Sequence, residues 1–213
     1  MSRRSESPIA EAGERPAGLL RPGFAEPALD AQRCFRTLLS AMAHPGRVHA
    51  LEVAVEPPPA LMPGSAALCL TLLDAETPLW LDAACADDET RAYLRFHCGC
   101  PLVGDSRTAA FALVGGALPP LDDFAQGDDL APEDSATVIW QVESLEDDGP
   151  LRLAGPGIDG TRALGISPLP RNFLQDRTRG HVAFPAGVDL ILVSGNRLVG
   201  LPRSTRIDSA GEG

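Results

Sequence analysis

From Ala31 onward, apolar residues fall on one helical face. Ala31, Cys34, Phe35, Leu38, Leu39 and Met42 follow the spacing i, i+3, i+4, i+7, i+8, i+11. Asp30 suits the N-cap of this helix and Pro45-Gly46 ends it, with Arg33 and Arg36 off the apolar stripe. "RVHALEV" (47–53) has short-strand character, and Pro57, Pro58, Pro59 and Pro63 mark a connector. "SAALCLTLLD" (65–74) predicts a buried helix capped by Ser65, and "TPLWLDA" (77–83) predicts a strand. A short helix is expected over 87–99, its acidic first turn matched to the helix dipole and closed by Gly99 and Pro101.

Further along, "TAAFALVG" (108–115) and "SATVIWQVESL" (135–145) predict strands, separated by an acidic connector over 116–135. "PLRLAGPGI" (150–158) is expected to pair back across an Asp-Asp-Gly turn. "PRNFLQDRTRG" (170–180) predicts a helix with Pro170 at its first position. A hairpin follows: Val188 to Val193, a Ser-Gly-Asn turn, then Arg197 to Leu201. Mixed helices and strands imply an α/β domain with a mixed sheet between helices. Its expected span is 28–207. Residues 1–27, with order expected near Leu19, Leu20 and Phe24, predict a flexible arm, and 208–213 a loose tail.

Composition narrows the function. At 213 residues the chain buries roughly 70 % of its unfolded surface without staples. The net charge of −11 repels a phosphate backbone and an anionic bilayer, so neither nucleic acid nor membrane is an expected partner. There is no uncharged run of about 18 apolar residues, and Met1 to Pro16 has no apolar leader core, so the expected compartment is the cytoplasm. Five cysteines, most inside apolar or helical patterns, predict reduced thiols. All 18 basic residues are arginine. A chain without lysine supplies no amine for a pyridoxal Schiff base and no P-loop lysine.

Local motifs add little chemistry. "GPGIDG" (155–160) matches a dinucleotide fingerprint, yet Pro156, Gly165 and Pro168 leave no room for the helix that would hold a pyrophosphate, so it predicts a turn. In "HCGC" (97–100), neighbouring ligands diverge and no second pair lies at zinc-like spacing, so no metal is expected. No nucleophile elbow is present. Arg203, Ser204, Thr205 and Arg206 form the candidate anion site, because guanidinium forks and hydroxyls suit phosphate or phosphonate oxygens. The competing reading pairs these arginines with the surplus acids. Asp189, a charge inside an apolar run, needs a partner, and Arg203 is the candidate for a structural ion pair.

Six segments, "FRTLLSAMAHPGRV", "TLLDAETPLWL", "LRFHCGCPLV", "LAGPGI", "FPAGVDLIL" and "LPRSTRI", resemble in order the H-subunit family (PhnH) of the bacterial carbon–phosphorus lyase system. The resemblance runs from about Leu29 to Ile207. It implies a three-layer α/β/α sandwich similar to pyridoxal-phosphate-dependent transferases but without the cofactor site. It also implies a homodimer that joins subunits G, I and J. That complex couples a phosphonate to the ribose of ATP with loss of adenine, before the carbon–phosphorus bond is cleaved; the radical chemistry belongs to subunit J. No cofactor and no catalytic residue carry over to this chain, so the implied role is structural or co-catalytic. A stand-alone transferase, or a protein binding a phosphonate or ATP-derived ligand through the arginine site, is the alternative. Cys98 and Cys100 depart from the Thr or Ser and Ala expected there, and Ser204 from Thr.

Overall fold

A computed structural model describes residues 21–52 and 54–209. Of the expected arm, positions 1–20 lie outside the described residues. In chain order the first elements are α1 (Pro27–Ala43), β1 (His49–Ala50), α2 (Pro63–Leu72), β2 (Leu79–Leu81), α3 (Asp88–His97), β3 (Leu102–Val103) and β4 (Phe111–Val114). They continue with β5 (Thr137–Gln141), β6 (Ser144–Ala154), β7 (Arg162–Ser167), α4 (Phe173–Val182), β8 (Asp189–Ser194), β9 (Arg197–Leu201) and β10 (Arg206–Ser209).

Two helices start earlier than their polar residues suggest. Pro27 and Pro63 take the first turns of α1 and α2, where a missing N–H costs nothing and the fixed φ already suits a helix. Asp30, the expected N-cap, instead sits inside α1 and accepts the Glu26 N–H at 3.0 Å. Ser65, the other expected cap, is fully buried within α2. Asp87 does cap α3, accepting the Thr90 N–H at 2.9 Å and its hydroxyl at 2.8 Å.

Seven strands form a mixed sheet in the order β1-β9-β8-β5-β4-β2-β3. The five from β8 to β3 run parallel, and β9 is antiparallel to both of its neighbours. Parallel strands covered on both faces need apolar residues at every position, which explains "FALV", "VIW" and "LILV". Ile139, Ile191 and Val193 face one core, built with Cys34, Leu38, Leu68 and Leu94 of the first three helices. Val138, Trp140, Leu190 and Leu192 face a second core. Gly200 of β9 lets α1 approach closely, since a Cβ there would stand 2.6 Å from the Ala41 carbonyl.

The second core is closed mainly by a three-stranded antiparallel sheet, β10-β6-β7, which contributes Leu145, Leu151, Leu153, Leu164 and Ile207, with Phe173 of α4. The expected sandwich had helices in this layer. The Asp-Asp-Gly stretch is no turn either: β6 runs through it with a register shift between Glu146 and Leu151, and its partner is β7. Gly149 packs directly on Gly165, where a Cβ would lie 2.4 Å from the Gly165 Cα. Nor is the tail loose immediately after Ile207. Asp208 and Ser209 continue β10, opposite Arg152 and Leu151. "GPGIDG" forms the connection between β6 and β7. Among the described residues no helix is long and apolar enough to cross a membrane.

Candidate functional site

Asp189 opens β8, at the amino-terminal edge of the parallel strands. Its Oδ1 accepts the Arg203 backbone N–H at 2.7 Å and Nε at 3.3 Å, while Oδ2 accepts Nη2 at 2.6 Å. The Arg203 Nη1 donates to the carbonyls of Pro132 at 2.7 Å and Pro185 at 3.3 Å. Both side chains are largely buried, at 16 % and 19 % exposure. The Arg203 guanidinium is therefore spent on internal acceptors.

Beside the pair opens a shallow cavity of about 430 Å³, lined by Asp189, Arg203 and Ser204 with Pro132, Pro185 and Pro202. Ser204 is half-buried, Thr205 is fully buried, and exposed Arg206 pairs with Asp208 at 3.1 Å. Of the four candidate residues, Arg203 and Ser204 line that cavity. The structure adds a residue that the chain pattern did not single out. Arg177 of α4 is 3 % exposed and donates to the carbonyls of Val188 at 3.1 Å, Pro202 at 2.6 Å and Thr205 at 3.3 Å. Burial draws its pKa down to about 10, and the Asp189 charge acts in the opposite sense. Its spacing from Phe173 is i, i+4, which places it on the buried stripe of α4; that spacing was the available signal.

A different site lies at the opposite edge of the sheet. The chain leaves β2 through α3 towards β3, but leaves β4 towards β5 on the other side. Connections diverge between β2 and β4, and open α/β sheets bind ligands outside the carboxyl ends of strands at such a point. Here Asp82, 9 % exposed, follows β2. Its Oδ2 accepts the N–H groups of Gly115 at 3.0 Å and Gly116 at 2.8 Å, and Oδ1 accepts that of Cys85 at 2.9 Å. Successive backbone N–H groups of this kind form an anion nest, and the chain fills it with its own carboxylate.

Space is tight at both glycines. A Cβ on Gly115 would meet the Cys85 sulfur at 2.6 Å, and one on Gly116 would meet Asp82 Oδ2 at 3.2 Å. Burial, then the Asp82 charge, pushes the Cys85 thiol pKa up. Gln141 closes β5 by accepting the Met62 N–H at 2.5 Å and donating to the Ala60 carbonyl at 2.9 Å, which ties the proline-rich connector to the sheet. Trp140 donates its indole N–H to the Gly116 carbonyl at 3.3 Å.

Beside this framework opens a cavity of about 400 Å³. Met62, Val142, Pro168, Leu169 and Pro170 give it apolar walls, Gly115, Gly116 and Trp140 contribute further lining, and Glu143 supplies a carboxylate. Among the described residues no basic side chain lines it. Asp82 ending one predicted strand and a Gly-Gly pair ending another were the sequence signals for this place. Elsewhere, the Cys98 S–H points to the Cys69 carbonyl at 3.6 Å, and hydrogen bonding from Cys98 lowers the Cys100 pKa. Among the described residues no group of three or more His, Cys, Asp and Glu is arranged to hold a metal ion.

Residues 22–208 match the family described as "Bacterial phosphonate metabolism protein (PhnH)". The chain is 36 % identical over 187 residues to the "Alpha-D-ribose 1-methylphosphonate 5-triphosphate synthase subunit PhnH" of Rhizobium meliloti (strain 1021), covering 87 % of this chain and 94 % of that one. It is 34 % identical over 189 residues to the "Putative C-P lyase subunit protein HtxG" of Stutzerimonas stutzeri, covering 84 % and 87 %.

Proposed function

The chain belongs to the bacterial phosphonate metabolism family PhnH, and from that premise we propose that it is a structural or co-catalytic subunit of the carbon–phosphorus lyase core complex. The complex couples a phosphonate to the ribose of ATP, and this subunit serves it in the cytoplasm as a homodimer assembled with subunits G, I and J. The observation that carries the reading is similarity along nearly the whole length of a synthase subunit, 94 % of it, rather than over one motif. The mixed sheet with helices packed on one face supports the expected kinship with pyridoxal-phosphate-dependent transferases, and the absence of lysine fits a version of that architecture that uses no Schiff base. Two cores sharing one central sheet support a single folding unit beginning near residue 28 and running through β10.

The rival, a stand-alone phosphonate- or nucleotide-binding protein using Arg203 to Arg206, draws no support from a guanidinium whose donors already meet Asp189, Pro132 and Pro185. Deletion of the gene tests the role. Growth on an alkylphosphonate as sole phosphorus source should be lost and restored by the full chain, and a tagged chain should co-purify the sister subunits. Unimpaired growth of the deletion strain would refute the assignment.

A further inference from the structure

We propose that the cavity beside Asp82 is a binding site for an uncharged heteroaromatic nitrogen base of purine size. The proposal deepens the subunit reading above and rests on it for the choice of ligand. The cavity itself restricts what can enter.

An open α/β sheet commonly meets an anionic ligand at its switch point through free backbone N–H groups. In this chain the N–H groups of Gly115, Gly116 and Cys85 are occupied by the Asp82 carboxylate. Glu143 is the carboxylate that lines the cavity, and among the described residues no arginine or histidine does. A phosphate or phosphonate placed there would face the Glu143 carboxylate and, among the described residues, no cation, an arrangement that costs free energy in a partly desolvated site.

What the cavity favours follows from the same list. Met62, Val142 and Leu169, with the flanking prolines, offer apolar contact, and about 400 Å³ accommodates a bicyclic ring. Glu143 is an acceptor for an exocyclic amine or ring N–H. The ligand is therefore apolar over its faces, rich in N–H donors at its edge, and uncharged.

The chemistry of the complex contains one such fragment. A ribose bearing a 5-triphosphate and a new 1-phosphonate, as named for the Rhizobium relative, must come from a ribose 5-triphosphate with a leaving group at C1. On a nucleoside triphosphate that leaving group is the base. It is the one uncharged, planar part of the reactants, and the cavity accepts it while rejecting the triphosphate.

The test uses the full chain, alone and in the purified complex, with adenine, ATP and methylphosphonate as probes in equilibrium dialysis. Adenine should bind saturably, and ATP and methylphosphonate at least tenfold more weakly. Leu169→Arg, which fills the cavity from its wall, should abolish adenine binding. Glu143→Gln should weaken it severalfold and narrow the preference over ATP. Circular dichroism and the melting midpoint establish that each variant is folded; should Leu169→Arg fail to fold, Leu169→Trp fills the same space. Absence of saturable adenine binding in both the chain and the complex would overturn the proposal. So would unchanged binding in a folded, filled variant, or tighter binding of ATP than of adenine. The two readings fail separately. Growth and co-purification report the subunit role whatever the cavity binds, and a wild-type chain that supports growth but ignores adenine leaves that role standing while removing this ligand.

Discussion

The two edges of the parallel sheet each hold a largely buried carboxylate, and they satisfy it in opposite ways. At the amino-terminal edge, Asp189 is paired with an arginine, and a second arginine, Arg177, gathers three backbone carbonyls close by. At the carboxyl-terminal edge, Asp82 is held by three backbone N–H groups and, among the described residues, by no cation. In the first case two long side chains cross-link Pro132, Pro185, Val188 and Pro202, and the open cavity beside them, about 430 Å³, is lined by the ion pair itself. In the second, a short side chain consumes only the anion nest and leaves an apolar cavity next to it. Charge pairing here builds a strut, while backbone capture of a carboxylate changes which ligands a crevice accepts.

The strut should show the largest effect. Arg177→Leu leaves the carbonyls of Val188, Pro202 and Thr205 without their donor and removes a positive charge that faces Asp189. Breaking a buried charged network in this way costs about 3–5 kcal/mol, a fall in Tm of roughly 10 °C or more for a chain of this size. Calorimetric melting of wild type and variant checks it. A change within about 0.5 kcal/mol, the range of ordinary surface substitutions, would mean that water replaces the guanidinium and that Arg177 is no strut.

A smaller effect is expected at the opposite edge. Asp82→Ala strands three N–H groups at about 1–3 kcal/mol in total after partial access of water. If Asp82 is an internal stand-in for an anion, the variant should recover part of that loss in sulfate but not in chloride at matched ionic strength, and beyond any gain shown by wild type. Thermal shift in the two salts measures this. Equal response of wild type and variant to sulfate would remove the distinction between the two edges.

The sequence revealed the strands of the main sheet better than the parts that cover it. "FALV", "VIW" and "LILV" are apolar at every position because both their faces are buried, and that is visible residue by residue. The three-stranded sheet was obscured by distance. Asp-Asp-Gly carries the local signature of a turn, but Gly149 is used to stack on Gly165 of β7, a contact across the fold that no local rule contains. The helix starts were misplaced because proline at the first helical position outweighs a polar cap candidate two or three residues later, at both Pro63 and Pro27. For the Asp189–Arg203 pair, a charge in an apolar run had to find a partner, and the hairpin brings Arg203 within 2.6 Å. Arg177 and Asp82 were harder to see because their partners are backbone atoms, which leave no trace in side-chain composition.

The smallest expected effect comes from a third carboxylate that accepts N–H groups, Asp87 at the start of α3, where solvent is close. Partial burial pushes its pKa up, but the N–H and hydroxyl of Thr90 outweigh that and leave it lowered. A carboxylate with a lowered folded-state pKa adds stability that is complete above its unfolded value and fades as falling pH protonates it in the folded state. Asp87→Ala should therefore cost about 1 kcal/mol at neutral pH, as N-cap removal does. The stability gap to wild type should hold down to the ordinary aspartate value of 3.8 and close below it. Urea titrations across that range measure the gap. A gap that persisted in acid would show that Asp87 contributes through packing rather than charge, and Asp87 would no longer stand beside Asp82 as a side chain whose worth lies in the donors it accepts.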